Sequence, residues 1–347
     1  MEFSLLYRIQ TDHALFTWIL DQVSKTHLPG MTGIRYTKPV SETEQRGVRM
    51  SRKDYVSKVN QVLDYINNHL DRELPLHELS EIAHYSPFHF HRIFKSLVRE
   101  NPNEFIQRVR IEKAANLLLH QPDCRITEIA MQCGFSSPSV FARAFRAHFG
   151  TSANSFRNHF RKNGKVAGNL EKVRKIQMDY YRKVEIKTLP SFHVAYHRCF
   201  TGYDKGVFNN DIFVSFRKVE QWLASRNLFS EETVCMGITY DNPDITARDK
   251  CRYDAAFSIP NEITEASGEI GIQQVEGGLY AVCREEGERM EDVVQKIGET
   301  VDFMYGQWLL DSSFQLADKP CLEIYCQKER HDGSAFMIDY CLPLLPK

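Results

Sequence analysis

Two arginines 51 positions apart, Arg92 and Arg143, occupy matching places in a pattern that this chain contains twice. A guanidinium can donate two parallel hydrogen bonds to the O6 and N7 of guanine. Phe88, His89, His91 and Lys95 surround the first arginine; Ser136, Ser139 and Arg146 surround the second. Ser and His offer single bonds to base edges, and a phenyl ring such as Phe88 can touch a thymine methyl. A different chemistry is grouped near the C-terminus. Glu323 and Tyr325 alternate onto one face of a strand-like run, with Trp308 and Tyr280 nearby in chain order. A carboxylate among aromatic rings can hold an organic cation through charge and cation–π attraction. Buried without a partner, it would also have a raised pKa. A solvent-facing Glu on a half-exposed strand is the plainer alternative.

The arginines need elements to position them. The first copy runs from Leu76 to Lys95 and the second from Ile126 to Arg146. Leu76/Ile126, Leu79/Ile129 and Tyr85/Phe135 repeat at an offset of 50. Pro87/Pro138, Phe90/Phe141, Arg92/Arg143 and Phe94/Phe145 repeat at 51. Each copy reads as a short helix, a tight turn and a second helix opened by Ser-Pro. The Ser caps, and the Pro stands at the first helical position, where its missing N–H costs nothing. Phe90, Phe94 and Leu97 form one buried stripe, and Phe141, Phe145 and Phe149 the other, which leaves the two arginines facing outward. This is a duplicated helix-turn-helix, a unit whose second helix enters the DNA major groove. Two ordinary helical hairpins with solvated charges would not require the arginines to align.

Residues 51–160 resemble the DNA-binding domain of AraC/XylS-type regulators. The resemblance is carried by both helix-turn-helix units, by the connecting segment Pro102 to Leu118, and by Gly134-Phe135, Phe149-Gly150 and Phe156-Arg157. Two positions depart from it. His84 stands where the first turn usually has Gly, so a positive φ is expected at a costly residue. Ala153 replaces the proline usual after Gly150-Thr151-Ser152.

At 347 residues, two or more domains are expected. The net charge of −1 conceals an asymmetry: residues 51–183 hold 22 Lys+Arg against 13 Asp+Glu, and residues 184–347 hold 16 against 27. The basic half is suited to phosphates and the acidic half is not. Nine cysteines without a C-x-x-C pair fit reduced, buried thiols in a cytoplasmic protein. No signal peptide or membrane span is read; the apolar run Ala14–Leu20 is too short.

Residues 1–50 read as an amphipathic helix followed by a Gly, Pro and charge-rich linker, with no function assigned. From Arg52 an amphipathic helix carries Tyr55, Val59, Leu63 and Ile66. A longer helix started by Pro102 joins the two units and would hold their second helices for successive major grooves, about 34 Å apart. Arg99, Arg108, Arg110, Lys113 and Arg125 are read as phosphate contacts or internal ion pairs, with Arg110 assigned to structure. Residues 161–183, basic through Lys172, Arg174, Arg182 and others, read as a solvated linker helix.

The remaining chain, 184–347, repeats with a period of 86: Ala195/Ala281, Trp222/Trp308, Cys235/Cys321 and Ile238/Ile324. Each copy reads as strand, helix and two strands. The strands expected are Val184–Phe200, Val234–Tyr240 and Arg252–Ile259, then Ile270–Arg284, Cys321–Gln327 and Phe336–Leu342; the helices are Phe208–Arg226 and Met290–Asp311. Two βαββ units would give a sheet with helices on one face and a cleft at the pseudo-two-fold axis. Gly237 in one copy is replaced by Glu323 in the other.

These residues resemble the GyrI-like small-molecule-binding domain. The resemblance rests on Leu189-Pro190 through Ala195, Arg252-Tyr253-Asp254-Ala255, Gly277 through Val282, Trp308-Leu309 and Pro320 through Tyr325. It implies that Glu323 is a buried pocket acid, lined by Tyr325, Trp308 and Tyr253.

His193, His197 and Cys199 share a strand face, yet parallel i, i+2 side chains make a poor nucleophile pair and a poor zinc shell. No catalytic residue, metal or cofactor is assigned. The fold expected is a multidomain α+β protein, an all-α double helix-turn-helix domain followed by a duplicated βαββ domain. The function expected is a cytoplasmic, sequence-specific transcription regulator. Its partners would be double-stranded DNA, a small aromatic or cationic effector and RNA polymerase, with no membrane. A C-terminal domain that binds a protein partner, or one that hydrolyses small electrophiles, stays open beside it.

Overall fold

The computed structural model describes residues 52–346, apart from 122, 164–181, 204–205, 208, 267 and 331–332. The expectations for residues 1–50, and for most of the basic linker, lie outside the described residues.

Among the described residues, seven helices come first: α1 (Arg52–Asn68), α2 (Leu76–Ile82), α3 (Pro87–Val98), α4 (Pro102–His120), α5 (Ile126–Gln132), α6 (Pro138–Phe149) and α7 (Ala153–Asn163). Helix pairs α2–α3 and α5–α6 are the two expected units. One core gathers Val59, Leu63 and Ile66 of α1 with Phe90, Phe94, Phe105 and Val109. A second gathers Ala114, Leu118, Ile129, Phe135, Phe141 and Phe145. Helix α4 contributes to both, which is why it is buried around most of its circumference. Its start is fixed by a capping box between Asn101 and Glu104, with Pro102 behind the cap.

The turns follow from single residues. Gly134 takes φ +73° and a side chain there would meet the Leu70 carbonyl at 2.1 Å. His84, its counterpart, takes φ +58° as its sequence position implies. Ala153 is buried and α7 forms without the proline, because Ser152 accepts a hydrogen bond from the Ser155 N–H at 3.1 Å.

The second half holds β1 (Val184–Leu189), β2 (Phe192–Cys199), α8 (Asn210–Ala224), β3 (Cys235–Thr239), β4 (Tyr253–Ser258), β5 (Gly271–Val275), β6 (Gly278–Gly287), α9 (Met290–Phe303), a wide π turn at Met304–Trp308, α10 (Leu309–Asp311), β7 (Phe314–Leu316), β8 (Cys321–Arg330) and β9 (Gly333–Pro346). The strands form an antiparallel sheet in the order β1-β6-β9-β8-β3-β4-β2-β5, with β7 paired to β9. Helices α8 and α9 cover one face, where their apolar residues bury against those of the strands. On the other face the sheet curls until its edges approach. Leu189 of β1 and Val275 of β5, from opposite edges, share one buried cluster.

One expectation is corrected here. The runs 184–200 and 270–284 are not single strands; each breaks into two. Pro190 has no N–H to continue a ladder, and Gly277 approaches Leu189 so closely that a Cβ would meet its carbonyl at 2.5 Å. The breaks let the repeats exchange edges: β1 pairs with β6 of the second copy, and β5 pairs with β2 of the first. Arg182 is also reassigned. It is not a solvated linker residue but pairs with Glu285 and Glu299, each at 2.8 Å.

The helical half docks on the sheet half through α1 and α4. Asp64 and Asn67 of α1 meet Arg198 and Arg252, and Lys113 of α4 meets Asp318 at 2.6 Å. Lys250 pairs with Glu100 at 2.5 Å beside α4. His120, at the end of α4, lies against Tyr305 with ring centroids 5.3 Å apart.

Candidate DNA-reading face and effector pocket

Helices α3 and α6 begin alike. Ser86 accepts from the His89 N–H at 3.4 Å, and Ser137 accepts from the Val140 N–H at 3.3 Å, each followed by Pro at the first helical position. Both helices end in a left-handed residue, Arg99 and Gly150. With Phe90, Phe94, Phe141 and Phe145 no more than 1% exposed, the opposite face of each helix is held outward. Phe88, His89, Arg92 and Lys95 are exposed there, as are Ser136, Ser139, Arg143 and Arg146, while His91 is half-buried. Phe88 is 74% exposed, which is unusual for a phenyl ring without a partner surface. The Arg92 guanidinium sits 5.7 Å from its centroid, so ring and charge stand together at the front of the helix. His89 packs on Tyr85 and on Tyr55 of α1, with centroids 5.1 and 6.1 Å apart.

Other basic residues are engaged internally. Arg108 pairs with Glu100 and Glu112 at 2.8 and 2.9 Å. Arg110 donates to the backbone carbonyls of Leu70 and Arg72 and so closes the end of α1, as assigned. Arg99 and Arg125 remain exposed.

In the sheet half, Glu323 is buried where the two repeats meet. Tyr203 donates to its Oε1 at 2.8 Å, and Tyr253 and Tyr325 donate to its Oε2 at 3.0 and 3.1 Å. Burial raises the carboxyl pKa, and the three tyrosine hydroxyls oppose that rise. Among the described residues no Lys or Arg pairs with it. Tyr203 stacks on Tyr253 with ring centroids 5.2 Å apart and lines the site. The space left, about 20 Å³, is bounded by Ile212 and Phe213 of α8 and by Val294 and Ile297 of α9. That is room for about one water.

The structure therefore brings Tyr253 and Tyr325 to Glu323. It does not bring Tyr280 or Trp308. Tyr280 lies on the opposite face of the sheet and donates to the Glu276 carbonyl at 3.3 Å. The reason is strand parity: Ala281 faces the helices, so its neighbour cannot. Trp308, the last residue of the π turn, stacks on Phe314 at 6.5 Å and stands eleven positions past Ile297, where α9 lines the pocket. Tyr203 was not singled out from sequence. It lies between Gly202 and Gly206, both with positive φ, and that glycine pair was the available signal.

His193 bonds to the Ile263 carbonyl, His197 to Ser215 and Lys218, and Cys199 to Thr201. These side chains hold local packing together rather than converging on a cavity.

A helix-turn-helix domain model matches residues 79–159, and a GyrI-like small molecule binding domain model matches residues 182–345. The chain joins an AraC-type DNA-binding domain to a GyrI-like domain. It is a DNA-binding transcription regulator. The regulator is 28% identical over 165 residues to a DNA gyrase inhibitor of Escherichia coli (strain K12), covering 45% of this chain and 90% of that protein. It is 31% identical over 114 residues to the probable transcriptional regulator LumQ of Photobacterium leiognathi, covering 32% of this chain and 46% of that one. Among solved structures, the DNA-binding domain of AdpA in complex with a target DNA is 28% identical. That match covers 32% of the regulator and 99% of that chain, with a TM-score of 0.30. Among the described residues no helix is long and apolar enough to cross a membrane.

Proposed function

We propose that the regulator reads DNA with α3 and α6 and that its GyrI-like domain admits a lipophilic organic cation over Glu323. Phe88, His89, Arg92 and Lys95 are the contacts assigned to the first major groove, with Ser136, Ser139, Arg143 and Arg146 assigned to the second. His91 takes a flanking place. RNA polymerase, as the machinery acted on by a bound transcription regulator, is the protein partner in this reading.

The observation that carries the effector assignment is the isolation of Glu323. A buried carboxylate with neutral hydroxyl donors and, among the described residues, no cationic partner is a costly arrangement that an entering cation relieves. The aromatic rings of Tyr203, Tyr253 and Tyr325 supply cation–π attraction at the same point. Because the space is nearly filled, entry requires Tyr203 to swing aside. Its flanking glycines permit such a motion.

The test is titration of the full-length protein with tetraphenylphosphonium, read by calorimetry, beside Glu323→Gln. Saturable binding that weakens at least about tenfold in the variant supports the assignment. Equal binding by both chains, or none by either, removes it.

A second reading is favoured by the small volume of the pocket and by the gyrase inhibitors whose length the GyrI-like domain spans. In it the domain binds a protein surface, and the pocket stays closed. A partner protein held equally well by the parent and by Glu323→Gln, with no cation bound by either chain, would establish that reading.

A further inference from the structure

Three consecutive residues of one short stretch, Arg252, Tyr253 and Asp254, touch both the pocket and the DNA-binding half. Tyr253 points to the helix-covered face and donates to Glu323 at 3.0 Å. Asp254 points the other way, as strand alternation demands, and is fully buried. It accepts from Arg198 Nε and Nη2 at 2.7 and 2.6 Å and from Tyr240 at 2.7 Å. Arg198 Nη2 also donates to Asp64 of α1 at 2.8 Å, and Tyr196 donates to the other Asp64 oxygen at 2.5 Å. Arg252, held by Asp241 at 2.5 Å, reaches Asn67, one turn further along the same helix.

Helix α1 continues the connection. Its opposite end carries Tyr55, which packs on His89 at the front of α3. A rigid helix pinned at Asp64 and Asn67 by the sheet therefore touches the first DNA-reading helix at its other end. We infer that β4 and α1 form a clamp that couples the state of the Glu323 pocket to the seating of α3. The inference rests on the reading of Glu323 as the pocket acid, and it adds the route by which occupancy is felt at the DNA.

The physical basis is geometric. A change at Glu323 that draws the backbone of Tyr253 with its side chain rotates or slides β4. Asp254 sits on the same backbone and cannot move without moving Arg198, because their two-pronged bond is buried and tolerates no stretching. Arg198 in turn holds Asp64. A displacement at the pocket thus reaches α1 through charge-assisted bonds rather than soft packing. A coupling of this kind needs both ends to bias one element, and α1 is that element.

The measurement is a double-mutant cycle on DNA affinity, with full-length chains and a duplex selected from a random pool by the unaltered protein. The four chains are the parent, Glu323→Gln, Asp64→Asn and the double variant. Glu323 and Asp64 do not touch, so independent sites would give additive effects. The clamp predicts that Glu323→Gln shifts DNA affinity about fivefold or more in the parent and less than about twofold once Asp64 is Asn. Additive effects, or no effect of Glu323→Gln in the parent, overturn it. Asn67→Ala removes the Arg252 contact on the same helix and repeats the cycle should Asp64→Asn not fold. Tetraphenylphosphonium binding is scored separately: its absence removes the cation reading, while the cycle still decides the clamp.

Discussion

Gly237 and Glu323, equivalent positions of the 86-residue repeat, face each other directly in the ladder between β3 and β8. The local two-fold axis passes between them, so a single copy of the acid serves the whole junction. The glycine is required by its neighbour. A Cβ at Gly237 would lie 1.9 Å from the Tyr253 hydroxyl, the group that must cross this position to reach Glu323.

Gly237→Ala is accordingly expected to push Tyr253 off the carboxylate while leaving the strand ladder intact. Overpacking of this kind costs about 1–3 kcal/mol. The thermal midpoint should fall, and tetraphenylphosphonium affinity should change with it; an unchanged midpoint would mean that the tyrosine has room the geometry denies.

Arg92→Ala and Arg143→Ala should each weaken specific DNA binding by about 1–3 kcal/mol and relax base preference within one half of the site. Competition against a panel of point-substituted duplexes measures both. Uniform loss across all duplexes would reassign the arginine to phosphate. Binding by the parent should weaken steeply with added salt, since phosphate contacts release counterions; a flat dependence would contradict the proposed face.

His84→Gly should stabilise the protein. His84 is exposed and held at φ +58°, where Gly134 of the second unit holds φ +73°. Relief of the left-handed strain exceeds the extra freedom of an unfolded glycine by about 0.5–1 kcal/mol. A urea midpoint that stays put or falls would show that the imidazole makes a compensating contact.

His120 sets an acid limit. Burial lowers its pKa to about 4, and neither ring nitrogen meets a partner among the described residues. The unfolded chain takes up a proton near the ordinary value of 6.5, while the folded chain refuses it until about 4. Stability from this group is therefore present above the unfolded value and is lost as pH falls through that window. In His120→Leu, the loss of stability between those pH values should shrink. Parallel pH titrations of the thermal midpoint that keep the same slope would show that His120 titrates normally.

The sequence by itself determined whatever depends on neighbours along the chain. Ser86-Pro87 and Ser137-Pro138 start their helices through bonds three residues long. The phenylalanine stripes choose the buried face by helical period alone, so the outward placement of Arg92 and Arg143 follows. The same logic of strand parity puts Glu323 and Tyr325 on one face, and it separates Tyr280 from Ala281, which faces the helices. The positive φ of His84 was legible from the resemblance, which implies a glycine at that place in the first turn.

Tertiary structure decided the rest, because those contacts join residues far apart in the chain. Tyr203 reaches Glu323 across 120 positions, and Arg198 reaches Asp64 across 134. No period or spacing marks either pair. The exchange of edge strands β1 and β5 depends on a sheet that curls until its edges meet, a property of the whole set of strands and their accumulated twist. Trp308 lies away from the pocket because it stands eleven positions past Ile297, and only the packed structure shows that the pocket sits against Val294 and Ile297 of α9. The clamp from Tyr253 to Asp254 is a local alternation in the sequence, but its meaning came from what each side of the strand was packed against.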